Sequence, residues 1–199
     1  MGELMTSHRR LSQAISEGDG ISLIAPVEDL DSARAAEADG AESLLVTSEV
    51  EGVRDATGLP IIWRAPEAAA AGQADGCVID AADLNADEDG ELERRYAELG
   101  ERGLECVVNV TEADELETAL ERLDPEIFLL SPGNDREGEA ALERVLDLLE
   151  DVPAGKLAIA DLRVTTRDEV AELERAGVDA VIVGTRDIAG LVSAAPPEV

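Results

Sequence analysis

The sequence predicts an α/β protein of the (β/α)8 barrel class, and three observations support this. Eight short runs rich in Ile, Val and Leu recur along the 199 residues. Acidic segments with helical spacing of Ala and Leu lie between these runs. Continuous apolar strands joined by helices require a parallel sheet with a covered outer face, and eight such units close into a barrel. An open doubly wound sheet is the alternative, but no Gly-x-Gly-x-x-Gly turn or nucleotide-binding Gly-Lys loop follows any strand.

The predicted strands are bounded by Gly, Pro and polar residues, as is typical of short buried strands. They cover residues 21–27, 43–48, 60–64, 76–80, 104–110, 126–131, 156–161 and 179–184. The strongest helical patterns lie at 29–39, 91–102, 113–123, 137–151 and 165–177, and the second and third gaps between strands hold shorter helices. Residues suited to begin helices are Asp29, Thr111 and Thr165, and residues suited to end them are Gly40, Gly103 and Gly177.

These elements predict a single domain over residues 1–199. We expect an N-terminal segment at 1–20, the barrel at 21–191 and a tail at 192–199. The N-terminal segment and the loop after the first strand are both short for a barrel of this class, whose usual length is about 250 residues.

Charge excludes several kinds of partner. Asp and Glu number 46 against 16 basic residues, which gives a formal net charge of -30. Such a chain repels nucleic acid and anionic lipid. Fifteen of the basic residues are Arg and only Lys156 is Lys, a balance that we interpret as adaptation to molar intracellular salt. Trp63 is expected in the core, and the scarcity of aromatic residues argues against base stacking.

Other sequence features exclude disulfide, metal and membrane chemistry. Cys77 and Cys106 each lie inside an apolar run, so two buried thiols are expected. His8 is the single histidine, which rules out a histidine triad or a multi-histidine metal site. No stretch has the length of a membrane span or the apolar core of a signal peptide, which predicts a cytoplasmic protein. No metal or cofactor is predicted.

Several segments carry a resemblance to one enzyme family. They are GAESLLVTSEVEG at 40–52, LPIIWR at 59–64, ADGCVIDAADL at 74–84, VVNVTEADELETAL at 107–120 and IADLRVTTRDEVAELERAGVDAVIVG at 159–184. The chain resembles indole-3-glycerol phosphate synthase over about residues 20 to 190. The resemblance implies a carbon–carbon lyase of tryptophan biosynthesis, which closes the indole ring of an anthranilate-linked ribulose phosphate with loss of CO2 and water. It also implies two catalytic lysines and glutamates at strand ends.

The chain departs from the family at those functional positions. The first-strand lysine falls on Glu28, and the third-strand lysine, the general acid, falls on Arg64, which keeps its proton at any working pH. The fifth-strand glutamate falls on Asn109, whereas Asp161 preserves an acid on the seventh strand. Lys156 cannot replace either lysine, because it begins the seventh strand at the opposite face of the barrel.

Polar residues at the ends of the predicted strands should meet at the mouth of the barrel. The candidate catalytic residues are Asp161, Arg64 and Glu28; the candidate ligand-binding residues are Asn109, Asp80 and Ser131; and the candidate phosphate-binding residues are Arg163, Gly184, Thr185 and Arg186. Each has a structural alternative. The arginines could pair with surface carboxylates, Asp80 and Asp161 could be helix caps or arginine partners instead of an acid/base pair, and Asn109 could belong to a satisfied polar layer.

Three functions remain open at this stage. The first is a relative of the synthase that binds a phosphorylated small molecule and has lost or altered its chemistry, that is, a pseudoenzyme. The second is a divergent active synthase. The third is a non-catalytic interaction protein with a plugged barrel mouth. A homo-oligomer or a partner protein is compatible with each of them.

The charge of -30 predicts a dependence of stability on salt. We expect the melting temperature to rise from low salt to molar KCl, because the Debye length falls to about 3 Å at 1 M and repulsion between carboxylates is screened. Thermal melts monitored by circular dichroism check this. Sucrose at matched osmolarity is the control, and an equal rise with sucrose would contradict an electrostatic origin.

Overall fold

The computed structural model describes residues 9–18, 20–48, 50–64, 74–86 and 90–192. Eight parallel strands form a closed barrel in the order β1 to β8. The strands are β1 Ser22–Val27, β2 Ser43–Val46, β3 Ile61–Trp63, β4 Gly76–Asp80, β5 Glu105–Val110, β6 Ile127–Leu130, β7 Leu157–Val164 and β8 Ala180–Val183. The barrel closes where Ser22 of β1 pairs with Ala180 of β8. The predicted fold class is confirmed.

Eight helices accompany the strands among the described residues. They are α1 Arg10–Glu17, α2 Leu30–Ala38, α3 Val53–Ala56, α4 Ala82–Ala86, α5 Glu91–Glu101, α6 Ala113–Arg122, α7 Gly138–Glu150 and α8 Arg167–Ala176. The five strongest helical predictions are confirmed as α2, α5, α6, α7 and α8. The short helix of the second gap is α3, whereas most of the third gap, at 65–73, lies outside the described residues, as does His8. Only Glu28 and Asp29 separate β1 from α2, which confirms the short first loop.

Two of the three predicted helix caps were wrong by one residue. Asp29 does cap α2, since its side chain accepts a hydrogen bond from Ser32 N. Helix α6 has Glu112 as its N-cap instead of Thr111, and α8 has Thr166 instead of Thr165. The reason is the same in both helices. A glutamate in the first turn accepts hydrogen bonds from the two residues before the helix, so the threonine nearer the strand stays outside it.

The core has two layers. Side chains that point into the barrel, such as Ile24, Leu45 and Val107, form an inner cluster, and the alternate side chains pack between strands and helices. Trp63 is buried in the outer layer, as expected. Strand alternation explains the division, because successive side chains point to opposite faces of a strand.

Helix α1 fills the amino-terminal end of the barrel, although the sequence indicated only a polar segment there. Its Leu11 and Ile15 belong to the inner cluster. Leu11 occupies space that Gly76 leaves open, since a Cβ at Gly76 would lie 2.7 Å from the Leu11 Cδ2 atom. The Glu105 carboxylate accepts hydrogen bonds from Leu11 N at 2.7 Å and Ser12 N at 3.1 Å, so β5 supplies the anion that the helix N-terminus favours.

Replacement of Leu11 by Ala should destabilise the barrel. We expect a loss of about 2–5 kcal/mol in the free energy of unfolding, because a fully buried leucine is removed and a cavity remains. Chemical denaturation in molar KCl measures the loss. Val192→Ala, at a position that is 41% exposed, is the control and should change stability by less than about 0.5 kcal/mol. Equal effects of the two variants would contradict the role assigned to α1.

Candidate functional site

The carboxyl ends of strands β2 to β7 surround a cavity of about 490 Å³, which we call the central cavity. The sequence-predicted residues that line it are Arg64, Asp80, Asn109, Ser131, Asp161 and Arg163. These residues come from five different strands or the loops that follow them, and barrel closure alone brings them together. Polar side chains at this face are the usual source of function in such barrels.

An ion-pair network crosses one side of the central cavity. Arg64 Nη1 donates to Asp161 Oδ2 at 2.5 Å, and Arg163 Nε donates to Asp161 Oδ1 at 3.1 Å. Both carboxylate oxygens of Asp161 therefore accept hydrogen bonds from guanidinium groups, and the Asp161 side chain is only 12% exposed. The alternative that Asp161 serves as a partner of the two arginines is the one that this geometry supports.

A chain of hydrogen bonds crosses the other side of the central cavity. Ser131 Oγ donates to Asn109 Oδ1 at 2.6 Å, and Asn109 Nδ2 donates to Asp80 Oδ1 at 2.6 Å. Asn109 and Ser131 are buried, whereas Asp80 lies exposed at the rim. The buried amide is therefore satisfied and held in one orientation, with Asp80 presented to the opening.

A second cavity, of about 250 Å³, adjoins the first between β8, β1 and α2, and we call it the β8 cavity. Glu28, Arg163, Gly184, Thr185 and Arg186 line it. Arg163 lines both cavities. Arg186 thus lines the same cavity as Arg163 but not the same cavity as Arg64. Each of the two adjoining cavities is lined by two of the three arginines. Arg186 Nη2 lies 3.9 Å from Glu28 Oε2, and both side chains are largely exposed.

An irregularity in β7 shapes this region. Ala160 pairs with Val181 and the next pair is Val164 with Val183, so β7 carries extra residues over a short stretch of β8. The predicted end of this strand at residue 161 was therefore too early. A bulge of this kind turns side chains toward the barrel rim, and here it holds Asp161 and Arg163 at the mouth.

Arg163 has a left-handed backbone. Its φ is +50°, a conformation that glycine adopts readily and other residues rarely do. Gly184 allows the approach, since a Cβ at that position would lie 2.2 Å from the Arg163 carbonyl oxygen. The turn therefore keeps the backbone geometry suited to glycine while it adds a guanidinium group to the mouth.

Capping boxes stabilise the first turns of α2 and α8, the helices that follow the two neighbours of β8. Hydrogen bonds from Ser32 lower the pKa of Asp29, and hydrogen bonds from Thr165 and Thr166 lower the pKa of Glu169. Both carboxylates therefore stay ionised at neutral pH and hold the first turns of α2 and α8. These turns follow β1 and β7, the two strands that border β8.

The two thiols lie away from the mouth. Cys77 and Cys106 are register partners on β4 and β5 and belong to the outer core layer. Both are free and buried, as predicted. Burial raises the pKa of Cys77, and burial together with the neighbouring Cys77 raises the pKa of Cys106 to about 12. Neither thiol is suited to act as a nucleophile at neutral pH.

Five residues of the described cavity lining were not among the predicted site residues. They are Thr47, Thr111, Pro132, Gly133 and Asn134. Thr47 had been placed inside a predicted strand, but β2 ends at Val46 and leaves Thr47 at the mouth. Polar residues immediately after a strand are the signal that could have identified Thr47 and Thr111.

The described residues contain no group of three or more His, Cys, Asp or Glu side chains placed to hold a metal ion. Within the same ranges, none of the helices combines the length and the apolar character needed to cross a membrane.

A closed barrel of eight parallel strands alternating with helices, with a polar cavity at the carboxyl ends of its strands, places the chain in the (β/α)8 barrel class. The model of the indole-3-glycerol phosphate synthase family matches residues 67–189, more than half of the chain. The chain belongs to this family. The fold is also similar to thiamine phosphate pyrophosphorylase from Pyrococcus furiosus, with a TM-score of 0.63, 17% identity, and coverage of 86% of this chain and 93% of that one.

Curated relatives carry the family name but match only in part. The indole-3-glycerol phosphate synthase of Variovorax paradoxus is 38% identical over 82 residues, which cover 41% of this chain and 30% of the relative. That of Shouchella clausii is 28% identical over 94 residues, which cover 47% of this chain and 37% of the relative. The matched region thus spans about a third of the length of these curated relatives.

Replacement of Gly184 by Ala should destabilise the protein at the carboxyl end of the barrel. The new Cβ would meet backbone atoms of Arg163, so strands must shift, and we expect a loss of about 1–3 kcal/mol in the free energy of unfolding. Gly100→Ala is the control, because nothing lies within 4 Å of a Cβ there and Ala favours the helix. Denaturant titration measures the free energy of unfolding of both variants. If Gly184→Ala is as stable as the unchanged protein, the close approach of Gly184 to the Arg163 backbone is contradicted.

Proposed function

We propose that this chain binds a phosphorylated small molecule at the barrel mouth and does not perform the ring closure of its family. The observation that most supports this proposal is the position of Arg163. This residue lines both cavities, and its side chain is 49% exposed. A ligand that spans the two cavities would meet this side chain whichever cavity holds its phosphate.

The β8 cavity is the proposed phosphate site. Arg163 and Arg186 line it together with the carboxylate of Glu28, and Arg163 also donates through Nε to Asp161. The pair between Arg186 and Glu28 is long and exposed, and such pairs contribute little stability, so a phosphate group can recruit Arg186 at small cost. Gly184 and Thr185 bring backbone to the same cavity without a bulky side chain. Guanidinium groups bind phosphate oxygens in a bidentate manner.

The residues at the family's catalytic positions do not suit its acid catalysis. Arg64 takes the place of the lysine acid, and a guanidinium group does not release its proton at working pH. Asp161, the preserved acid, already accepts hydrogen bonds on both oxygens from Arg64 and Arg163. Glu28 stands where the family has a substrate-binding lysine, and it lines the β8 cavity instead of the central one.

Two other functions remain as outcomes of the test. If the chain is an enzyme, it is a carbon–carbon lyase of the synthase type that uses Asp161, Arg64 and Glu28. If it is an interaction protein, its mouth should be plugged, and the volume of about 490 Å³ in the central cavity counts against that.

The test is calorimetric titration in molar KCl with D-ribulose 5-phosphate and with D-ribulose. We expect binding of the phosphorylated sugar alone. Arg163→Gly should weaken this binding about tenfold or more, since a hydrogen bond to a charged group contributes roughly 1.5–3 kcal/mol. This variant suits the left-handed backbone at residue 163, so the fold should persist. Arg175→Ala, an exposed position at the end of α8, is the control and should bind like the unchanged protein.

The alternatives predict different results. Conversion of the anthranilate-linked ribulose phosphate into an indole product, followed by fluorescence, would support the divergent synthase. Failure of every phosphorylated probe to bind would contradict the proposed function and favour the interaction protein.

A further inference from the structure

The two adjoining cavities differ in chemistry, and this difference bears on the class of ligand. The inference rests on the proposed function. We propose that the central cavity receives the hydroxylated carbon chain of a sugar or polyol phosphate, and that it disfavours the aromatic carboxylate carried by the family's substrate.

The lining of the central cavity is suited to hydroxyl groups. Asp80, Asn109 and Ser131 form a fixed chain of hydrogen bonds across three strand ends. Thr47 and Thr111 add hydroxyl groups to the same cavity. A ligand hydroxyl both donates and accepts, so it can donate to the Asp80 carboxylate and accept from the Thr47 hydroxyl. The Thr111 hydroxyl, by contrast, already donates to Glu115 and is an acceptor. Several such contacts, placed on separate strands, would fix the orientation of a carbon chain.

The same lining is unsuited to an aromatic carboxylate. Ligand sites for rings are lined mostly by apolar and aromatic side chains, whereas this cavity is lined almost entirely by polar ones. Among the described residues, its charged groups are Arg64, Arg163, Asp80 and Asp161, two of each sign. Both arginines already donate to Asp161, which leaves Asp80 as the charge at the rim without a guanidinium partner in this network. A second anionic group on the ligand would therefore meet a carboxylate.

The β8 cavity has the opposite balance. Its described lining holds the guanidinium groups of Arg163 and Arg186 and the carboxylate of Glu28, with Gly184 beside them, and Arg163 donates through Nε to Asp161 of the central cavity. One anionic group is therefore accommodated, at one end of the ligand. The ligand class that fits both cavities carries a single phosphate and several hydroxyl groups.

The experiment compares three probes by calorimetry in molar KCl: D-ribulose 5-phosphate, the anthranilate-linked ribulose phosphate and inorganic phosphate. We expect D-ribulose 5-phosphate to bind about tenfold more tightly than either of the others, as two added hydrogen bonds would produce at about 0.5–1.5 kcal/mol each. Tighter binding of the anthranilate-linked compound, or equal binding of all three probes, would overturn the inference and leave the proposed function standing. No binding of any probe would overturn both.

A variant with opposite effects on two probes separates specificity from misfolding. Asp80→Asn keeps the shape and removes the charge at the exposed rim. It should weaken D-ribulose 5-phosphate binding several-fold and strengthen binding of the anthranilate-linked compound. Asp83→Asn is the matched control, because it removes the same charge from an exposed position that does not line the cavity. Equal changes in the two variants, or weaker binding of both probes to Asp80→Asn, would overturn the assignment to Asp80.

Discussion

Hydrogen bonding between β1 and β8 closes the sheet, and the rest of the structure depends on that closure. Ser22 pairs with Ala180 and Ile24 with Ile182, so the first and last strands become neighbours. A closed parallel sheet has no edge strand, and all of its carboxyl ends lie on one face. Closure also creates an interior that must be filled, and at the other end Leu11 and Ile15 of α1 complete it.

The site lies where the regular barrel is interrupted. Seven of the eight strand pairings continue in register, whereas β7 and β8 shift between Ala160 and Val164. That shift requires a left-handed residue at Arg163 and a side-chain-free neighbour at Gly184. A strained backbone of about 1–3 kcal/mol is retained only where the surroundings enforce it, which is typical of functional positions. Among the described residues, Arg163 is the residue that lines both cavities, and it is also the one with this strained backbone in the bulge of β7.

Charge is distributed unevenly over this acidic chain. The chain carries a net charge of -30, whereas the described lining of the central cavity carries equal numbers of arginines and carboxylates. The β8 cavity has more positive than negative groups. Arg163 belongs to both cavities, so their described linings together hold three arginines and three carboxylates, a nearly neutral region within a strongly acidic protein.

Much of the fold followed from local patterns, because apolar runs and helical spacing report which faces are buried. The strands and the five strongest helices were predicted within a few residues, and the polar lining of the central cavity was expected from residues at the carboxyl ends of predicted strands, such as Asp80 and Asn109. The errors were at boundaries, where Glu115 and Glu169 move the helix starts and Thr47 leaves its strand.

The sequence by itself determined the barrel class, the departure of Glu28 and Arg64 from the family's lysines, and the acidic surface. Only the tertiary structure decided that Arg64 and Asp161, 97 residues apart, share one hydrogen bond, that α1 fills the barrel, and that Arg163 borders two cavities. The reason is physical. Local patterns encode burial and period, whereas contacts between distant residues depend on strand order, register and the bulge in β7, which no single segment contains.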